Sequence, residues 1–78
     1  MSFRVEVSLM GPLSRHFQGE RTREMQLPEG AAVAEILHRL SLSREKTSLI
    51  TVNGVKAPLT RLLNEGDKVV VFPPVSGG

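Results

Sequence analysis

Hydrophobic and polar positions alternate from the start of the chain. Phe3, Val5, Val7 and Leu9 fall on one side, and Arg4, Glu6 and Ser8 on the other. Period two with β-branched residues predicts a half-buried strand over 3–9. Gly11-Pro12 breaks this strand, and Gly19 marks a bend. A second strand, about 21–27, turns Met25 and Leu27 inward and Thr22, Glu24 and Gln26 outward. The two runs are close in sequence, so an antiparallel hairpin is the simplest connection.

After Pro28-Glu29-Gly30 the period lengthens. Val33, Ile36, Leu37 and Leu40 stand at i, i+3, i+4 and i+7, the spacing of one helix face, with His38 and Arg39 off that stripe. Ala32 occupies the expected N-cap, three residues before Glu35. That is a capping box without its hydroxyl, an omission expected to cost about 1 kcal/mol. A polar stretch, Ser41 to Thr47, leads to a third strand at about 48–53. Asn53-Gly54 then signals a tight turn, because both residues tolerate positive φ. Val55 to Ala57 is a short candidate strand, and Pro58-Leu59-Thr60 opens an irregular or one-turn segment carrying Leu59, Leu62 and Leu63. Asn64-Glu65-Gly66-Asp67 is a second turn. It delivers the last strand, Lys68-Val69-Val70-Val71-Phe72, which Pro73-Pro74 ends for want of a ladder N–H.

This order predicts one amphipathic helix across one face of a mixed, four- to five-stranded sheet, an α+β arrangement of the β-grasp, ubiquitin-like kind. The helix and later elements supply the crossover length that makes the first and last strands parallel central neighbours. A β-grasp domain over 1–74 would be followed by a flexible diglycine tail, 75–78.

The chain has 78 residues, enough for one small domain. Burial exceeds chain entropy only narrowly at such a length. Yet the usual staples are absent: there is no Cys, so disulfides, thiolate zinc sites and cysteine nucleophiles are excluded. Ten basic and eight acidic residues leave a net charge of +2, spread from Arg4 to Lys68 without a basic stripe. With neither Trp nor Tyr to stack bases, a nucleic-acid partner is not expected. No apolar run approaches the ~18 residues of a membrane span. Arg4 and Glu6 interrupt any signal-peptide core, so a soluble, cytoplasmic protein with no membrane partner, monomeric when isolated, is expected.

Side-chain chemistry is sparse. His16 and His38 lack a carboxylate or second imidazole at ligand spacing, and surface histidines are the better reading, with no metal. Ser14, His16 and Asp67 could form a triad on paper, but no nucleophile elbow accompanies them. The glycines sit at element boundaries and form neither GxGxxG nor a P-loop. The distinctive feature is the ending, Val75-Ser76-Gly77-Gly78 behind a stiff Pro73-Pro74. Glycine has no Cβ, so Gly77-Gly78 can thread a slot where other residues would clash. A carboxylate becomes a useful electrophile only when its oxygen is made a leaving group, and an unhindered tail suits an enzyme that does this by adenylation.

The chain resembles the ubiquitin-like sulfur-carrier family (MoaD/ThiS). The likeness is diffuse in Leu27-Pro28-Glu29-Gly30, in Val33 to Leu37 and in Val52-Asn53-Gly54. It is specific in the run from Leu63 through Asn64-Glu65-Gly66-Asp67 to Phe72-Pro73-Pro74-Val75-Ser76-Gly77-Gly78, which looks closest to the small subunit of molybdopterin synthase. The resemblance implies a carrier and not an enzyme. An E1-like enzyme would use ATP to adenylate the Gly78 carboxylate, and sulfur would displace AMP to leave a thiocarboxylate. An acceptor enzyme, the molybdopterin synthase large subunit above all, would take residues 73–78 into a channel and remove the sulfur. No cofactor would be bound; ATP belongs to the activating enzyme. Three alternatives stay open: a thiamine-type or other sulfur carrier, a ubiquitin-like modifier forming isopeptide bonds through Gly78, and a β-grasp binding module whose tail is incidental.

The last strand also predicts a partner-binding face. Val69 and Val71 point one way and Val70 and Phe72 the other, and both pairs are apolar. With Val69 and Val71 in the core, Val70 and Phe72 would lie on the open face, rimmed by Arg4, Glu6 and Ser8.

Overall fold

The structure, a computed structural model, describes residues 1–42, 47 and 49–74. Strand β1 (Ser2–Leu9) is followed by a 3₁₀ helix (Gly11–Phe17), strand β2 (Thr22–Pro28), helix α1 (Val33–Arg39), strands β3 (Leu49–Val52) and β4 (Val55–Lys56), and strand β5 (Lys68–Phe72). The strands form one sheet in the order β2-β1-β5-β3-β4. β1 pairs antiparallel with β2 and parallel with β5, while β3 is antiparallel to both β5 and β4. This is the expected β-grasp, with five strands.

The alternation in β1 does what period two requires: Val5, Val7 and Leu9 are buried. They join Val69 and Val71 of β5, Ile50 and Val52 of β3, and Val33, Ile36 and Leu37 of α1 in a single core. Each such side chain contributes roughly 1.5–3 kcal/mol on leaving water. The turn at Asn53-Gly54 has positive φ at both residues, 53° and 84°, which is the twist that a two-residue hairpin needs.

Two expectations change. The first is the link between β1 and β2, which is more than a bend. It winds into a 3₁₀ helix that buries Leu13 and Phe17 as part of the same core, so the described residues hold two helices. Arg23 fixes this helix to β2. Its guanidinium donates to the Phe17 carbonyl at 3.2 Å and to Glu20 Oε1 at 2.8 Å, and lies 5.0 Å from the centre of the Phe17 ring. The second concerns the start of α1. Ala32 is the N-cap and makes no side-chain bond, as expected. Nevertheless the first N–H groups are satisfied: Val33 N donates to Arg61 O, Ala34 N to Leu59 O, and Glu35 N to Ala32 O, all within 3.0 Å. The 59–61 segment supplies the cap from outside the helix, so the missing hydroxyl carries no penalty.

Candidate docking face and tail exit

The open side of the sheet, away from α1, is built from the outward positions of all five strands. Register places Thr22, Ser8, Val70, Thr51 and Lys56 in one row across it. Phe72 and Leu49 form the next row on the tail side, and Glu24, Glu6 and Lys68 the next on the other side. The face is therefore divided. Hydroxyls and apolar groups lie towards the end of β5, and charges lie towards its beginning.

Val69 and Val71 are core and Val70 and Phe72 are not, which is the expected parity. Val70 and Phe72 are half-buried, not fully open. Arg4 and Glu6 are exposed as a rim should be, but Ser8 departs from that role. It is buried, and its hydroxyl is 2.9 Å from that of Thr22. Neighbouring strands shield a small side chain on both sides, whereas Arg4 and Glu6 are long enough to reach solvent.

The turn before β5 is clasped from two directions. Asn53 Nδ2 donates to Asp67 Oδ1 at 3.0 Å, and Asn64 N donates to Asp67 Oδ2 at 2.8 Å. Asn53 Oδ1 accepts from Lys68 N at 2.9 Å. Residues 65–67 are also sewn to β1, with Gly66 N donating to Arg4 O and Glu6 N to Asp67 O. These bonds set where β5 starts and hence where the chain leaves the sheet. Sequence reading identified Asn53-Gly54 and Asn64–Asp67 as separate turns; the only available hint that they join was an Asn in one and an Asp in the other.

At the far end, Met10 N donates to Val71 O at 3.0 Å, continuing the β1–β5 ladder by one residue. Gly11 then turns away at φ 57°, and Pro73 is packed beside it. Pro73 is half-buried and Pro74 is exposed. The anticipated tail residues Val75, Ser76, Gly77 and Gly78 lie outside the described residues.

The structure places no internal active site around the other candidates. Asp67 is committed to Asn53 and Asn64, while Ser14 and His16 belong to the 3₁₀ helix. His38 is exposed on α1. No group of three or more His, Cys, Asp or Glu could hold a metal among the described residues. A groove of about 550 Å³ at the β3–β4 edge, bordered by Leu49, Ile50, Lys56 and Leu59, brings no acid–base pair together among the described residues. No helix among the described residues is long and apolar enough to cross a membrane.

The family model of the ThiS family matches residues 7–78, nearly the whole chain and all of the tail. The chain belongs to the ThiS family. Among solved structures, this ThiS-family chain is 28% identical to SAMP1 from Haloferax volcanii, covering 96% of this chain and 99% of that one, with a TM-score of 0.74. It is 28% identical to molybdopterin converting factor subunit 1 from Pyrococcus furiosus, over 94% and 99% of the two chains, at a TM-score of 0.77. It is 25% identical to a chain of the BexX/CysO complex from Amycolatopsis orientalis, over 95% and 99%, at 0.67. A search of the curated proteins finds no significant match. The ThiS-family assignment makes the domain one of the ubiquitin-like sulfur carriers and modifiers, which work with E1-like and acceptor enzymes.

Proposed function

We propose that this ThiS-family domain carries sulfur on the Gly78 carboxylate and delivers it in molybdopterin biosynthesis. In the first step the carboxylate oxygen attacks the α-phosphorus of ATP on an E1-like enzyme, releasing pyrophosphate. Sulfide-level sulfur then attacks the acyl carbon, AMP leaves with its oxygen, and Gly78 ends as a thiocarboxylate. The domain contributes no acid or base to either step. It docks through the face around Val70 and Phe72 and presents residues 73–78, so it acts as a co-substrate and not as an enzyme. The observation that carries this reading is the position of β5. The central strand of the sheet ends at Phe72, and in sequence Pro73-Pro74-Val75-Ser76 and the diglycine follow directly. The likeness to a molybdopterin converting factor subunit supports the choice of pathway.

The equal identity to SAMP1, a small archaeal modifier protein, favours a second reading, in which the same adenylate is attacked by a lysine amine to form an isopeptide. Both readings begin with adenylation, so the product separates them. The protein should be incubated with an E1-like adenylating enzyme, ATP and a sulfide source, then weighed intact by mass spectrometry. Replacement of one oxygen by sulfur, absent from a Gly78-deleted variant, is the expected result. Conjugates on other proteins without any thiocarboxylate would establish the modifier reading. Normal adenylation of the deleted variant would overturn both.

A further inference from the structure

Of the two asparagines in the chain, only Asn53 precedes a glycine, and it stands in the clasp before β5. Asn53 Nδ2 donates to Asp67 Oδ1 at 3.0 Å, and Asn53 Oδ1 accepts from Lys68 N at 2.9 Å. The main chain adds a third bond, with Asn53 N donating to Lys68 O at 2.7 Å. The side-chain amide is therefore drawn towards β5. Gly54, by contrast, leads the chain into β4, which lies on the other side of β3 in the sheet. Both residues of this turn are exposed, and a Cβ built on Gly54 would meet nothing within 4 Å, so the turn is open to water.

Asparagine is among the thermolabile residues, and a following glycine exposes its weakness. With no Cβ beside it, the glycine nitrogen has an unhindered approach to Cγ of the asparagine side chain. A C–N bond forms as the Gly54 nitrogen gives up its proton. The Cγ–Nδ2 bond breaks as Nδ2 takes up a proton and leaves as ammonia, and a succinimide remains. Water then opens either carbonyl of the ring. Breaking the new bond to Cγ leaves aspartate, and breaking the original main-chain bond leaves isoaspartate, with the chain running through Cγ. Attack requires Cγ to turn towards Gly54 N, and the amide cannot turn that way without giving up Asp67 and Lys68.

We propose that Asn53 is a latent deamidation site, held unreacted in the folded domain by the clasp to Asp67 and Lys68, and that its modification frees the start of β5. Every residue involved lies in or beside the turns, so the outcome does not depend on Gly78. The product cannot remake the clasp. A carboxylate at position 53 sets an oxygen against Asp67 Oδ1 where an N–H donor stood, and Asp67 is buried, so the two charges are poorly screened. Isoaspartate also lengthens the main chain of a tight loop whose flanking pairs are Val52 with Val55 and Thr51 with Lys56.

In the full chain kept at mildly alkaline pH, the mass gain from exchange of NH2 for OH, located by peptide mapping, reports the reaction. A site that reacts through a rare open form does so at the rate of the unprotected sequence multiplied by the open fraction. The folded wild type should react at least about tenfold more slowly than the same chain unfolded in urea. Asp67→Ala should raise the folded rate about tenfold or more, because it removes a bond to a charged acceptor. Ile36→Val, a modest core truncation in α1 away from the clasp, should stay within about twofold of wild type. Urea below the unfolding transition should leave the wild-type rate nearly unchanged, because opening the clasp exposes little surface. That series decides alone if Asp67→Ala does not fold. A rate that climbs steeply with urea below the transition would overturn the proposal, as would equal rates in the folded and unfolded chain. Equal acceleration in the two variants, or reaction at Asn64 in preference to Asn53, would do the same. Asn53→Asp supplies one product directly, and it should lower the urea midpoint and increase hydrogen exchange at Lys68. An unchanged midpoint with unchanged exchange would overturn the release of β5.

Discussion

Ser8 and Thr22 face each other across the β1–β2 pair with their hydroxyl oxygens 2.9 Å apart, and Ser8 is buried although it lies on the side of the sheet away from the helix. A buried hydroxyl costs little when bonded and much more when its partner is removed. Thr22→Val should therefore destabilise the domain by about 1–2 kcal/mol, while the double variant Ser8→Ala/Thr22→Val should recover most of that loss. Urea titrations of the four members of this cycle measure the coupling. Additive losses would mean the two hydroxyls are independently solvated.

Phe17, in the core, and Phe72, on the other side of the sheet, should respond differently to truncation. Phe17 is 1% exposed, and Phe17→Ala should cost the 3–5 kcal/mol typical of a core Phe. Phe72 is half-buried, and Phe72→Ala should cost about half as much while weakening binding to the activating enzyme more than it lowers stability. Chemical denaturation and calorimetric binding, run on the same variants, test both statements. A full core penalty at Phe72 with unchanged binding would remove it from the docking face.

Asp67 ties together two turns and is itself buried. Asp67→Ala leaves Asn64 N and Asn53 Nδ2 without their acceptor. A loss of about 2–3 kcal/mol is expected, since hydrogen bonds to a charged group are the stronger kind. Asn53→Ala also removes two bonds, the one to Asp67 and the one from Lys68 N, and puts Ala at φ 53°, so it should cost a similar amount and should increase hydrogen exchange at Lys68.

Ala32→Ser provides a test in the opposite direction. At an uncapped helix the new hydroxyl would add about 1 kcal/mol. Here carbonyls of Arg61, Leu59 and Ala32 already accept from the first three helix N–H groups. The expected gain is under about 0.5 kcal/mol by thermal unfolding. A full gain would show that the 59–61 segment does not act as the cap.

Much of this architecture could be read in the sequence because local pattern and tertiary need agree. β5 begins at Lys68 and ends at Phe72, as its flanking turn and prolines require, and the parity of its four apolar residues is the one inferred from a sheet covered on one side. The 3₁₀ helix was not legible in the same way. Its only apolar pair, Leu13 and Phe17, stands at i and i+4 among polar residues, and two glycines flank it, so breakers outweighed the pattern. Pro12 in the first turn was the available signal. Ser8 departs from the rim because a short hydroxyl bonded to Thr22 can be polar and still buried. The cap from residues 59–61 and the Asn53–Asp67 clasp join segments distant in sequence, and no periodicity encodes them. The candidate site was read from the composition of Phe72 to Gly78, and of it Phe72, Pro73 and Pro74 lie among the described residues.

The central position of β5 also has a mechanical meaning. A partner that draws the tail into a channel pulls on β5 along its own axis. β1 holds that strand in parallel on one side and β3 in antiparallel on the other. Load applied this way is shared as shear across both ladders at once, whereas an edge strand could be peeled one bond at a time. Under the proposed function the domain could thus be gripped by its end, worked upon and released without unravelling, as repeated transfer between enzymes would require.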